Sequence, residues 1–525
     1  MTIMNSIRSS LRLRGKGSSE LEGEEVALRK GNRKVPGSDR NLLFDLFAQL
    51  AYLSTIATSG ITRTQLFEHA SKMPYTSSKY FANVHFLAQK LNVDYADACR
   101  RVAMKTKINE IRGFLLRLSG AMSAGEDEAD FLLRESEAMA AAFANRYERD
   151  VESLKKWTDA YVTLVVAAAL IVIVSVISMM IYDIGTTITV GLALTMVFVT
   201  ILGGWIIYVS APHEVKTRPR GPTSKNQILA HKLFKILTPI GVMIGAIALF
   251  VGIELGWIFL ILAVFLYVPG FIITRDDKRI GRLDADIPTV VRVLGGVTSA
   301  IGTTVTEALG QIDRRSMGSL TPEIDRLHVR LQAGLNPEIC WDRFVDETGS
   351  ELVDRTKNMF WDALSLGADA GKAGSASALF SSNIAFLRAN RDMVATTFRY
   401  LIMPLHGAMI ALLLFIPEIM KLFSLNIQAS SQFLTDGGSS TLPNSSMAIG
   451  ELFTFGDINL GLVNFLVTFV VVVLTGADAF APKAAEGGSN LKLSYNLAIM
   501  FTITGIMMIA VPMFAHSIFQ SIVTT

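Results

Sequence analysis

Cysteine is nearly absent from this chain of 525 residues, with only Cys99 and Cys340 present and no metal-ligand spacing around either. Two thiols exclude a disulfide framework, and each suits a small buried core position. Histidine is scarce too: there are seven, and no two lie four residues apart, which argues against a zinc site. Charge is thin at 18% of residues, half the chain is hydrophobic, and the mean hydropathy is +0.40. That profile excludes an ordinary soluble domain and points to a membrane protein with substantial polar parts. Strand-like alternation is missing, and apolar residues recur at helical spacing instead.

No long apolar run occurs before residue 160, so a cleavable amino-terminal signal is not expected. Residues 1–40 carry 9 Lys/Arg against 5 acids with several Gly and Ser, and read as a disordered basic tail. A phosphate-binding loop is missing as well, although "GADAGKAGS" at Gly367–Ser375 imitates one. Leu366 stands where the first glycine of such a loop belongs, and Ala373 where the hydroxyl belongs, with no buried strand before it. Neither a nucleotide nor any other cofactor is expected. The acid pairs Asp276-Asp277, Asp284/Asp286 and Asp346-Glu347 have no neighbouring nucleophile and read as solvated faces or helix starts. No catalytic or metal constellation emerges, so the chain is not expected to be an enzyme.

What the chain has is spans. Seven stretches are long and apolar enough for a bilayer: 160–182, 187–210, 235–253, 256–274, 400–422, 459–480 and 495–519. Lys and Arg number 24 in residues 1–157, 6 in 211–235 and 16 in 275–399, whereas residues 422–458 contain none. Basic residues stay on the cytoplasmic side. The amino terminus and both large polar blocks are therefore expected in the cytoplasm, with the carboxyl terminus outside. The resulting organisation is a tail (1–40), a first helical block (41–157), four spans in two hairpins (158–274), a second block (275–399) and three spans (400–525) with an outer loop at 423–458. The fold class is all-α.

The two blocks repeat one another. "GITRTQLF" from Gly60 faces "GTTVTEAL" from Gly302 at an offset of 242. "KLNVDYADACRR" from Lys90 faces "GLNPEICWDRF" from Gly334 at 244, and "LSGAMSAGEDEADFL" from Leu118 faces "LSLGADAGKAGSASALF" from Leu364 at 246. The late turns are read as Gly125-Glu126 and Gly371-Lys372, each a helix–helix turn that uses glycine for a positive φ.

Two helical bundles, each with a G-x-T-x-T-[QE] turn and a late "AG[EK]" turn before a helix entering the membrane, resemble the type II secretion system F-domain family. Its members are the membrane platform proteins of type IV pili, type II secretion systems and the archaellum. Seven spans are similar to the larger archaeal members. The resemblance implies a hexameric ATPase on the cytoplasmic side and pilin- or archaellin-like subunits above, and a homodimer is compatible with it. No nucleic-acid partner is expected. Basic clusters are the candidate ATPase-docking sites: Arg100, Arg101, Lys105 and Lys107 in the first block, and Arg314 and Arg315 in the second. The loop between the span hairpins adds Lys216, Arg218 and Arg220, though membrane anchoring also explains it. His406, about seven residues into its span, is expected to hydrogen-bond between helices. The competing readings are a secondary transporter, which would need more polar groups at mid-membrane depth, and a receptor or signalling scaffold with 423–458 as sensor.

Overall fold

The computed structural model describes residues 42–181, 186–218, 224–436 and 460–523. The tail at 1–40 and the outer-loop residues beyond 436 lie outside them. Among the described residues there are α-helices, one 3-10 segment and no strand. By close contacts Leu42–Leu50 and Thr62–Phe131 form one compact unit, and Ala51–Ile61 with the described residues from Leu132 onward form another.

The first polar block supplies α1 (Leu42–Ala57), α2 (Arg63–Lys72), α3 (Ser78–Leu91), α4 (Tyr95–Lys105) and α5 (Asn109–Ala124). It then leads into α6 (Glu128–Ile181), which continues unbroken into the first apolar run. Helices α7 (Thr186–Ser210), α8 (Lys225–Phe250) and α9 (Leu255–Ile301) follow, and α9 continues well past its apolar half. The second block adds α10 (Val305–Gln311), the 3-10 segment Arg314–Leu320, α11 (Thr321–Gln332), α12 (Pro337–Thr348) and α13 (Glu351–Ser365). Helices α14 (Ala370–Asp436), α15 (Leu460–Glu486) and α16 (Lys492–Val523) complete the chain. Seven of these are long and apolar enough to cross a membrane, as the hydropathy pattern predicts. The chain is an all-α polytopic membrane protein.

The capping residues explain the duplicated motif. In G-x-T-x-T-[QE], Gly60 and Gly302 sit at φ +69° and +67°, a conformation costly for any residue with a Cβ. The next-but-one residue, Thr62 or Thr304, is the N-cap, and its hydroxyl accepts the backbone N–H of Gln65 or Glu307. Gln65 also reaches back to the Thr62 backbone and closes a capping box. The motif is thus a stop-and-restart signal between two helices.

These roles recur at one spacing, which corrects two of the letter-based pairings. Left-handed Asn92 and N-cap Asp94 correspond to left-handed Gly334 and N-cap Asn336, at 242 rather than 244. In the late turn, left-handed Gly125 corresponds to Gly367, not Gly371. The side chains of Asp127 and Asp369 then accept the N–H groups of Asp130 and Lys372 and start α6 and α14. Gly371 and Lys372 already lie in the first turn of α14 and have no positive φ. A further parallel comes from buried polar anchoring. Asp45 on α1 accepts the N–H and hydroxyl of Thr76, and Asp286 on α9 accepts the same two groups of Ser319.

Within the second unit, α9 packs against α8, α14 and α16, and α15 packs against α7, α14 and α16. A continuous core runs from Leu154 and Tyr161 on α6 through Phe398 and Ile410 on α14 to Val470 on α15. Cys99 and Cys340 are buried and free, as expected of core residues.

Candidate functional site

The short connection between α7 and α8, with three charged residues in its described part, becomes the hub of a buried ionic clamp. Its residues 211–218 belong to no helix, Thr217 forms a bridge with Ser350, and the N–H of Glu351 donates to the Lys216 carbonyl at 3.2 Å. Glu214 points inward to Arg388 on α14, whose Nε lies 3.2 Å from Glu214 Oε2. Arg388 also donates to Asp284 on α9 at 2.7 Å and to the Val215 carbonyl at 3.2 Å. Tyr147 on α6 donates its hydroxyl to Glu214 at 3.0 Å, and Arg391 stands 3.7 Å away. Five elements therefore converge on two carboxylates and one guanidinium, because Ser350 at the start of α13 also donates to Asp284.

A second layer ties in the last two helices. Asp277 on α9 accepts Lys216 at 3.1 Å and Lys492 at 2.9 Å. Lys492 also pairs with Glu486 at 2.8 Å, and Glu486 pairs with Arg399 of α14 at 2.7 Å. On the other side, Arg218 is buried between Asp354 on α13 and Asp346 on α12. Burial alone would raise the Glu214 carboxyl, but Arg388, Arg391 and the Tyr147 hydroxyl outweigh it and hold it below the usual carboxylate range. Burial likewise opposes, and Arg326 and Arg330 overcome, at Glu347, which stays low.

The acids read as solvated faces are therefore mostly structural. Asp276, Asp277 and Asp284 are buried and bonded, and Asp346 and Glu347 hold Arg218, Arg326 and Arg330. Apart from Arg279, three residues from Asp276, their charged partners lie 17 to 215 residues away, so proximity in sequence carried little signal. Of the docking candidates, Arg100, Arg101, Lys105 and Lys107 are exposed in the first unit. Arg315 is exposed in the second, whereas Arg314 is engaged by Asp325 at 2.8 Å and by the Leu309 carbonyl at 3.0 Å. Lys216 and Arg218 are spent inside the clamp, and Arg220 lies outside the described residues. Among the described residues, no group of three or more His, Cys, Asp or Glu converges as metal ligands.

A second polar cluster sits within the spans. His406 on α14 meets Asp478 on α15 at 2.7 Å through Nδ1, and Thr504 on α16 at 3.0 Å through Nε2. Tyr161 on α6 donates to the other oxygen of Asp478 at 2.7 Å, and Thr475 lies 2.9 Å from Thr504. Each polar atom finds a partner on another span, so the expected interhelical role of His406 holds and extends to four helices. Such bonds in bilayers contribute about 0.6–1.7 kcal/mol each. We expect His406→Ala and Asp478→Ala to be strongly non-additive, with a coupling of roughly 1 kcal/mol in a double-mutant cycle. Thermal melts of the detergent-solubilised protein measure it, and additive losses would contradict the pairing.

No family model matches the chain, and no solved structure matches it. It is 23% identical over 453 residues to the Flagella accessory protein J of Methanococcus voltae, covering 83% of this chain and 78% of that protein. It is 25% identical over 306 residues to the protein of the same name from Methanocaldococcus jannaschii, covering 56% of this chain and 54% of that protein. Both relatives are named as accessory proteins rather than as enzymes. These likenesses support the platform-family resemblance carried by the duplicated turns and the seven spans: along most of its length the chain is similar to flagella accessory J proteins.

Proposed function

We propose that this chain is the non-enzymatic membrane platform of an archaellum or type IV pilus-like assembly machine. Its two polar bundles face the cytoplasm and engage a hexameric ATPase, and its spans act on pilin- or archaellin-like subunits as they enter or turn the filament. The observation that carries the reading is the clamp. A device that passes force from a soluble motor into a bilayer needs a stiff joint between its polar and apolar halves. Glu214, Arg388, Asp284, Asp277 and Lys492 supply one by fastening the second bundle to the α7–α8 connection and to α14–α16. Similarity to accessory proteins of flagella supports the filament context. The cluster around His406 is closed by its own hydrogen bonds, which favours a fastening over the transporter reading.

The docking surface proposed for the ATPase is the exposed face of α4. There Arg100, Arg101 and Lys105 surround Met104, an apolar side chain 72% exposed, and Lys107 follows. A basic rim around an apolar centre suits an acidic surface with an apolar pocket. Reversing Arg100, Arg101 and Lys105 to Glu is expected to abolish co-purification of the cognate ATPase at low salt, while the wild-type complex weakens as salt rises. A variant that retains the ATPase at wild-type levels would refute this docking face. Failure of the wild-type chain to associate, with or without nucleotide, would refute the platform reading.

A further inference from the structure

Charge on α9 is sorted by the fold rather than by the sequence. Where the helix leaves its apolar half, residues 275–286 read "RDDKRIGRLDAD", four cations against four acids. Asp276, Asp277 and Asp284 are buried, and Asp286 accepts the N–H and hydroxyl of Ser319. Arg279 is drawn in with them, against Asp276 and Glu323. Arg275, Lys278 and Arg282 are left exposed on one face, at spacings of three and four. None of the three makes an ion pair or a hydrogen bond with another described residue. A stretch that is neutral by composition therefore presents three uncompensated positive charges.

The same face continues into the span as an apolar one. Val264, Tyr267, Val268 and Phe271 precede the cations at helical spacing and are exposed. Tyr267 stacks on Phe271 with ring centroids 5.7 Å apart, and Tyr495 of α16 lies 5.9 Å from Tyr267. A hydrocarbon layer ~30 Å thick takes about 20 residues of helix. Counted from the turn at Glu254, that length of α9 ends at Thr274. Arg275 and Lys278 therefore stand at headgroup level, with Arg282 about 10 Å of helix beyond Arg275. Helical side chains lean toward the N-terminus of their helix, which for α9 lies across the bilayer. All three cations thus lean back toward the membrane. On α8, whose N-terminus is on the polar side, exposed Lys225 and Lys232 lean away from it.

We propose that this face of α9 binds one anionic phospholipid from the leaflet on the side of the second bundle. Its acyl chain lies along Val264, Val268 and Phe271, and its phosphate is held by Arg275 and Lys278. Continuity of the face identifies the occupant. Val264 stands about 15 Å of helix before Thr274, near mid-bilayer, so the apolar part of the face is covered by a lipid tail. The group beside the cations below it is then a headgroup. A phosphodiester supplies the anion that the unpaired cations lack, and a guanidinium can grip it through two N–H groups. A zwitterionic headgroup brings its own cation to the same place and gains less. Arg275 and Lys278 flank Asp276 and Asp277, so the bound lipid is seated directly on the helix turn that carries the clamp.

The test uses the full chain in a nonionic detergent, and its outcome does not depend on any ATPase. Dioleoyl phosphatidylglycerol and dioleoyl phosphatidylcholine, alike in their chains, are titrated separately, and native mass spectrometry counts the lipid retained. Wild type is expected to keep one phosphatidylglycerol at concentrations where phosphatidylcholine is lost. A cation beside an anionic headgroup is worth about fivefold in affinity, so Arg275→Gln with Lys278→Gln should weaken phosphatidylglycerol by roughly 25-fold. Phosphatidylcholine uptake should not change, because neither side chain has a partner in the fold to lose. Lys225→Gln with Lys232→Gln removes the same charge from α8 and should cost less than about fivefold. Equal uptake of the two lipids by wild type, as for a face built to meet an acidic protein, overturns the proposal. So does an α9 double variant that binds like wild type, or an α8 pair that loses as much, which would mean diffuse attraction. Displacement of the lipid by glycerol phosphate, which has no chains, would make the site one for a free anion and overturn it as well.

Discussion

Arg388→Ala is expected to destabilise the second unit by about 3–5 kcal/mol, the loss typical of a buried ion pair with one partner removed. The guanidinium serves Asp284, Glu214 and the Val215 carbonyl at once. Its removal strands two carboxylates that are almost wholly buried. Arg391 remains 3.7 Å from Glu214 and relieves part of that charge, but no other cation pairs with Asp284 among the described residues. Arg388→Lys should fall between wild type and alanine, because an ammonium keeps the charge but cannot span both acids with a planar fork. Thermal unfolding in detergent, followed by size-exclusion of the survivors, reads the effect. An alanine variant that melts with wild type would mean that the clamp contributes nothing.

The pH dependence gives the clamp a second signature. Glu214 is depressed in the folded chain, so its contribution is fully present above the unfolded value near ~4.3 and is lost as pH falls through the folded value. Asp277, opposed by burial but lowered by Lys492 and Lys216, acts in the same sense, while Asp284, which burial raises despite Arg388, offsets part of it. With two lowered acids against one raised, the melting temperature of wild type should fall in acid below about pH 5. In Arg388→Ala, burial loses most of its electrostatic opposition and favours the protonated acid. The deficit relative to wild type should then be widest at neutral pH and narrow as pH falls.

The spans and the left-handed Gly125 were legible because each is a local signal written within twenty residues, whereas the positive φ expected at Gly371 belongs to Gly367. The repeat was legible too, but matching letters drifted from 242 to 246. The pairs "LN" and "AG" recur by chance near turns whose backbone roles stand elsewhere. The α14 helix runs to Asp436, past the expected start of the outer loop, because residues 423–436 contain neither Gly nor Pro and the first breakers are Gly437 and Gly438. The clamp was illegible for the opposite reason. Glu214 and Arg388 are 174 residues apart, and Asp277 and Lys492 are 215 apart. Without the fold, each looks like one more surface charge. His406 announced itself as an ionisable group in a span, but its partner Asp478, two residues before the end of the expected 459–480 span, did not.

The last expectation returns to the glycines of "GADAGKAGS". Gly374 crosses Gly295 of α9 at backbone contact: a Cβ on Gly374 would lie 2.7 Å from the Val291 carbonyl oxygen and 3.0 Å from the Cα of Gly295. A Cβ on Gly295 would strike the Ala370 carbonyl oxygen and lie 2.9 Å from the Cα of Gly374. Backbone on both sides leaves no flexible side chain to yield, so α9 and α14 would have to separate. The neighbouring Gly296 has nothing within 4 Å of its would-be Cβ. Both glycines are helical, and replacement by alanine removes about 1 kcal/mol of helix cost at either. At Gly296 that gain stands alone, so Gly296→Ala should stabilise. At Gly295 overpacking of about 1–3 kcal/mol outweighs it, and Gly295→Leu should cost more again. Adding Gly374→Ala to Gly295→Ala should then cost less than the sum, because a crossing already opened is not opened twice. Melting temperatures of the five variants, Gly374→Ala alone included, decide the matter. If Gly295→Ala melts as high as Gly296→Ala, the helices do not cross there. If it melts lower, the small residues that imitate a phosphate loop are the bearing on which the second bundle meets the helix that carries it into the membrane.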